Sequence, residues 1–212
     1  MKLNSVFTSI TAMSLTLVIS GCSTPGMALK SHTGSLASPK KPIGLFTLRT
    51  ENSFKPHYVP EPSKIHILCN QSQKSAVVAC DRPYKMVVGE YYEYLISVEL
   101  ERGDYVVGNV QGIAAAPRGL GIGRFGFPIN TQFTLPNGIT YLGHITMTNR
   151  ERKEGEPRSG PVWPLIDQSA SGFHGGTFDV SIIDRADVDI PEFIKAYPAL
   201  KDVSITKSIM KR

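Results

Sequence analysis

The sequence predicts an all-β fold: an antiparallel β-sandwich with one short C-terminal helix. Three observations carry it. Apolar residues recur with period two along most of the chain, turn residues punctuate those runs, and a single segment near the C-terminus has a capped helical pattern. Residues 45–49, 65–69 and 85–88 open the series as short strand candidates. In residues 92–100, Tyr92, Tyr94, Ile96, Val98 and Leu100 share one face, while Glu93, Ser97 and Glu99 fall on the other with Leu95 as the exception. Arg102-Gly103-Asp104 then turns the chain into a strand at 105–110. Phe125, Phe127, Ile129, Phe133 and Leu135 share one parity, and Pro128 points away, arguing for an edge or a bulge. After the turn Pro136-Asn137-Gly138, Ile139, Tyr141, Gly143, Ile145 and Met147 alternate with Thr140, His144, Thr146 and Thr148. Phe178, Val180 and Ile182 alternate with Asp179 and Ser181. Asp189 reads as a helix cap, with Pro191 in the first turn, Glu192 three residues after the cap, Phe193, Ile194 and Tyr197 as the apolar stripe, and Pro198 as the stop. Residues 203–206 supply a last strand. Strands joined by such tight turns pair antiparallel.

The N-terminus gives an address. Met1-Lys2 is a short positive start, residues 6–19 form an apolar stretch softened by Ser and Thr, and Leu17-Val18-Ile19-Ser20-Gly21-Cys22 leads small residues into a cysteine. The stretch is too short and too polar for a bilayer span, so it reads as an export signal. Its ending resembles the signal of bacterial lipoproteins. That resemblance implies removal of residues 1–21 and acylation of Cys22, and Ser23 in place of Asp after the cysteine implies the outer membrane of a two-membrane envelope. Residues 22–41, rich in Ser, Gly, Pro and Lys, read as a flexible tether with a reach of about 25 Å. The β-sandwich domain is then residues 42–212. Within it, residues 98–105, 139–143 and 189–198 resemble uncharacterised outer-membrane lipoproteins with a prealbumin-like or carboxypeptidase-regulatory-like sandwich. These are strand and turn motifs, so they imply a fold and no activity.

A net charge of +5 is mild, and no dense run of Lys and Arg interleaved with aromatics appears, so nucleic acid is not expected as a partner. With Cys22 acylated, Cys69 and Cys80 remain, and an oxidising compartment favours a disulfide between them; a pair of buried free thiols is the alternative. A tight hairpin at Ser72-Gln73 places Cys69 opposite Ala76 and Cys80 opposite Ile65, so a bridge needs another turn, such as Lys74-Ser75, or a looser loop.

Gly121-Ile122-Gly123-Arg124-Phe125-Gly126 spells a dinucleotide fingerprint, but the period-two run that follows cannot open the required helix. A flexible connection between strands is expected there, and no cofactor. Arg102-Gly103-Asp104 reads as a turn and not as an adhesion tripeptide. The histidines, His32, His57, His66, His144 and His174, show no metal-ligand spacing, and His144 on the Thr face of its strand should be wet. No nucleophile elbow is present, so no catalytic residue is assigned. The acids Asp167, Asp179 and Asp184 support an alternative, an envelope hydrolase acting on cell-wall or surface polysaccharide. A carrier holding a small hydrophobic ligand between the sheets is a further alternative.

The best candidate for binding is the stretch 149–176, longer than an ordinary connection and without period. Arg150, Arg152, Trp163, Phe173 and His174 are its candidate contact residues, with the bland reading that Trp163 covers the open end of the core. The functional expectation is a lipid-anchored, non-catalytic envelope lipoprotein that binds or scaffolds another envelope protein or polymer.

Overall fold

The structure is a computed structural model that describes residues 27–30, 36, 39–70, 75–79, 84–88, 91–115, 122–160, 173 and 175–212. The described residues are mostly β, with two sheets and one α-helix. The strands are β1 (Ile43–Asn52), β2 (Glu61–Cys69), β3 (Ser75–Ala79), β4 (Tyr84–Val88), β5 (Tyr91–Glu99), β6 (Gly103–Ala115), β7 (Ile122–Leu135), β8 (Ile139–Glu151), β9 (Gly176–Ile183) and β10 (Ile205–Lys207). The helix α1 (Ala186–Ala196) precedes β10, with a short 3₁₀ turn at Pro198–Leu200 between them. Sheet A runs β10–β8–β1–β5–β4, and β9 pairs with the far part of β8; sheet B runs β3–β2–β6–β7.

Every strand expected from the period-two pattern forms. β3 is additional: five residues of small and β-branched side chains carry too short a pattern to be read alone. The segment expected as a flexible connection, residues 122–126, is instead the start of β7, paired with the end of β6 through Ile122↔Ala115 and Phe125↔Gly112. The two tight turns, Arg102-Gly103-Asp104 and Pro136-Asn137-Gly138, do not make hairpins as expected: each carries the chain from one sheet to the other, so β5–β6 and β7–β8 do not pair. The consecutive strands that do pair, β2–β3, β4–β5, β6–β7 and β8–β9, are antiparallel. β1–β8 and β10–β8 are parallel, because these partners are not consecutive and no turn dictates their direction.

One apolar cluster joins the inward side chains of both sheets, among them Phe46, Ile65, Ile96, Val107, Phe127 and Ile145. A second lies on the opposite face of sheet A, where Phe193, Tyr197 and Leu200 pack on Ile43, Leu45, Leu95 and Ile139. Sheet A is thus buried on both faces, which explains why Leu95 breaks the alternation expected of a half-wet strand. Leu29 also belongs to this second cluster and is 2% exposed. Ala28 N–H donates to Ser97 O at 3.0 Å, and Leu29 N–H donates to Ser97 Oγ at 2.9 Å. This part of the expected tether is held, because one leucine finds an apolar seat and a serine supplies the acceptors.

β8 carries the main departure from the expected pattern. Its register against β1 slips between Leu45 and Phe46, passing from Tyr141 directly to Gly143, whose φ is +120°. Glycine tolerates that backbone at no steric cost. The extra residue reverses the parity, so Ile139 and Tyr141 face α1 while Leu142, Ile145 and Met147 face the other sheet. It also turns His144 toward the helix. The ring expected to be wet is 1% exposed.

At the other end, residues 205–211 close the molecule. β10 lies along the start of β8, Met210 N–H donates to Leu142 O at 2.9 Å, and Lys211 exchanges two backbone hydrogen bonds with Gln132 of β7. One short stretch therefore pairs with both sheets.

Candidate functional site

Two constellations stand out: a buried polar cluster under α1, and a basic groove at one end of sheet B.

The cluster forms because the bulge at Gly143 points Tyr141 and His144 to the same side, although residues three apart on a regular strand face opposite ways. Asp189, expected to cap the helix, lies inside it and is 2% exposed. Its Oδ2 accepts from the Tyr141 hydroxyl at 2.7 Å and lies 3.1 Å from His144 Nδ1. Helix α1 begins earlier than expected, at Ala186, whose N–H donates to the Asp184 carboxylate at 3.0 Å. Arg185 Nη1 lies 3.2 Å from His144 Nε2 and 3.3 Å from Glu93 Oε1. Arg185 Nη1 also lies 3.4 Å from Nδ1, so the guanidinium rests against the imidazole ring, while Nδ1–H donates to the Asp189 carboxylate. Burial alone would raise the Asp189 pKa, but the bonds from His144 and Tyr141 outweigh it and hold the carboxyl below its ordinary 3.8. Burial and the neighbouring carboxylate push the Tyr141 phenol far above its ordinary range. His144 is shut from solvent. The group fastens α1 to sheet A, with the Arg185 side chain as its partly exposed member.

The acids considered for hydrolysis are likewise engaged. Asp179 Oδ2 accepts from Arg150 Nε at 2.8 Å, and Asp184 pairs with Lys207 at 2.8 Å. Asp167 lies outside the described residues. Among the described residues no group of three or more His, Cys, Asp or Glu side chains stands close enough to hold a metal. In Arg102-Gly103-Asp104, Gly103 starts β6 and the Asp104 carboxylate accepts from the Thr134 hydroxyl at 2.6 Å.

The candidate loop contributes differently from what its sequence suggested. Arg150 spends its guanidinium on Asp179 and, through both terminal nitrogens, on Glu156 at 2.7 and 2.8 Å. The Arg150 bond, helped by the Lys153 backbone N–H, pulls the Glu156 carboxyl down to about 2. Arg152 Nη1 donates to Glu156 O at 2.7 Å, and Arg152 N–H donates to Gly175 O at 2.8 Å. Phe173 is fully buried against Phe125 and Phe178. These three candidates brace the loop. Trp163 and His174, with Cys22 and Cys80, lie outside the described residues. For the expected disulfide, what the described residues give is the β2–β3 register, which pairs Ile67 with Ala76 and Lys64 with Ala79.

What the brace does is hold Ser159 in place. Ser159 N–H donates to Gly176 O, its hydroxyl donates to Phe173 O at 3.1 Å, and Ser159 O accepts from Gly126 N–H at 3.0 Å on the edge of β7. Arg158 and Gly160 on either side then form one wall of a groove of about 650 Å³. The opposite wall and floor are the ends of β2, β6 and β7: Ser63, Lys64, Gln111, Ile113, Arg124 and Gly126 are the main contributors. Gly112 lets β2, β6 and β7 pack closely beneath the groove: a Cβ there would point to the inner face and meet Glu61 O and the buried ring of Phe125.

Lys64, Arg124 and Arg158 are all exposed, and among the described residues none of them has an ion pair or a hydrogen-bonded side chain. Among the described residues no carboxylate lines the groove. Glu61, which pairs with Ile113 in the ladder, is not among the lining residues. Two smaller hollows, of about 350 and 440 Å³, each include a carboxylate, Asp104 in one and Glu51 in the other. The sequence pointed to the loop but not to Arg158 or to its meeting with Lys64 and Arg124. The strand register brings Lys64 and Arg124 together, and the bonds of Ser159 to Gly126 and Gly176 bring Arg158 to them. No family model, curated protein or solved structure matches the chain.

Proposed function

We propose that this chain is a lipid-anchored, non-catalytic module of the bacterial outer envelope, whose two sheets are the halves of a β-sandwich and whose basic groove binds another envelope component. The observation that carries the reading is the groove itself: a concave site of ligand size, rimmed by cations for which the described residues supply no counter-charge. The bracing of the loop by Arg150, Glu156 and Asp179 supports it, since a site held in a fixed shape loses less freedom when it binds.

Anchoring rests on the resemblance of residues 17–22 to a lipoprotein signal, and the seat of Leu29 adds a geometric consequence. From Cys22 to Met27 a fully extended chain spans about 17 Å at most. With Leu29 docked on sheet A, the body stands closer to the bilayer than a free tether of residues 22–41 would hold it.

The test is cross-linking mass spectrometry on intact envelopes, comparing the native chain with the double variant Arg124→Gln/Arg158→Gln. One component captured by the native chain and lost from the variant is the expected result. Equal captures would remove the groove from the reading. In parallel, Cys22→Ser should abolish incorporation of labelled palmitate and release the protein from the membrane fraction.

A further inference from the structure

We infer that the groove is a site for a phosphate-bearing saccharide. The inference rests on the reading of the groove as a binding site and adds the class of ligand.

The argument starts from charge. Three cations surround one hollow, and the described residues supply none of them with a counter-charge. Two are arginines, whose planar fork matches the paired oxygens of phosphate or carboxylate. A phosphate monoester carries about −1.5 to −2 charge at neutral pH, which answers three cations better than one carboxylate does.

The spacing comes from the ladder. Lys64 pairs with Gln111, Gln111 with Gly126, and Arg124 with Ile113. Lys64 and Arg124 are therefore two strands and two residues apart, about 12 Å between Cα atoms. Side chains reaching inward from both ends can hold a single sugar ring and its phosphate between them.

The remaining lining fits the sugar part. Ser63 and Gln111 offer a hydroxyl and an amide, groups that both donate and accept, as sugar hydroxyls require. Ile113 is 41% exposed and gives the C–H face of a ring an apolar seat. Competing ligands fit less well. Bases of nucleic acid need an exposed aromatic platform, and among the described residues the aromatic of the lining, Phe125, is 3% exposed. A peptide adding to the sheet needs an open edge, and Ser159 already accepts from Gly126 on β7.

The test is calorimetric titration of the full chain with glucose 6-phosphate, glucose, inorganic phosphate and a hexaglutamate peptide. Glucose 6-phosphate should bind, more weakly as salt rises, and glucose should not. Arg124→Gln and Arg158→Gln should each weaken binding about ten-fold, the loss of one charge-assisted hydrogen bond. Ile113→Glu, exposed and outside the core, should abolish it while leaving the unfolding midpoint in place. Glucose binding as well as its phosphate would overturn the anionic part of the inference. Inorganic phosphate or hexaglutamate binding as well as glucose 6-phosphate would overturn the saccharide part. If none of the four binds while cross-linking still captures an envelope component through Arg124 and Arg158, the ligand class is wrong and the binding module stands; if both fail, both fall.

Discussion

Asp189 shows how a residue is misplaced by its neighbours in sequence. Asp followed by Pro191 and Glu192 has the grammar of a helix start, yet the helix begins at Ala186 and the carboxylate turns inward to Tyr141 and His144. Nothing near Asp189 in the chain reveals this, because the partners lie on β8 and reach it only through the slip at Gly143. Removing one member of a buried charged network costs about 3–5 kcal/mol. Asp189→Ala should therefore lower the stability measured by urea unfolding by that order. The pH dependence follows from the sign of the shift. A carboxyl held below its unfolded pKa contributes stability that is complete above the ordinary carboxylate range and is lost as pH falls through its folded value. Urea midpoints from about pH 6 down to about pH 2 should fall in the native protein, with a shallower acid limb in Asp189→Asn. A limb equally steep in the variant would assign the acid sensitivity to other groups.

At the scale of elements, the packing of β2, β6 and β7 depends on what β6 lacks. At Gly112 any side chain collides with the backbone of β2 and the ring of Phe125. Gly112→Ala should cost about 1–3 kcal/mol, as overpacking of a fitted site does, measured by urea unfolding. The loop brace has its own test. Arg150→Ala frees Glu156 and Asp179 together, so trypsin should cut after Arg152, Lys153 or Arg158 several-fold faster than in the native chain while the far-ultraviolet circular dichroism stays unchanged. The β2–β3 hairpin speaks to the cysteines. Lys64 opposite Ala79 sets Cys69 five residues along β2 from the partner of Ala79. That offset is about 17 Å, against the roughly 4.4–6.8 Å between Cα atoms that a disulfide spans. Alkylation without reductant should label both Cys69 and Cys80, and a bridged peptide in its place would mean that the hairpin pairs in another register.

Over the whole molecule, the all-β class was legible because period two and turn residues are local signals, and every long strand carried them. What was not legible is which faces are buried. Leu95 on β5 hinted that sheet A has no wet face, but only the docking of α1 and Leu29 shows what covers it. The groove was hidden for the same reason: Lys64, Arg124 and Arg158 are far apart in sequence, and each alone reads as an ordinary surface charge. The stretch 205–211 has a consequence for how the molecule is made. β1, the centre of sheet A, waits for β8 as its parallel neighbour, and both sheets wait for Lys211 to join Gln132. A polypeptide emerging from its N-terminal end lacks that joint until residue 211 has been made. Chains made only part of the way to that residue therefore cannot complete the fold, and their two sheets stay unfastened to each other at this point.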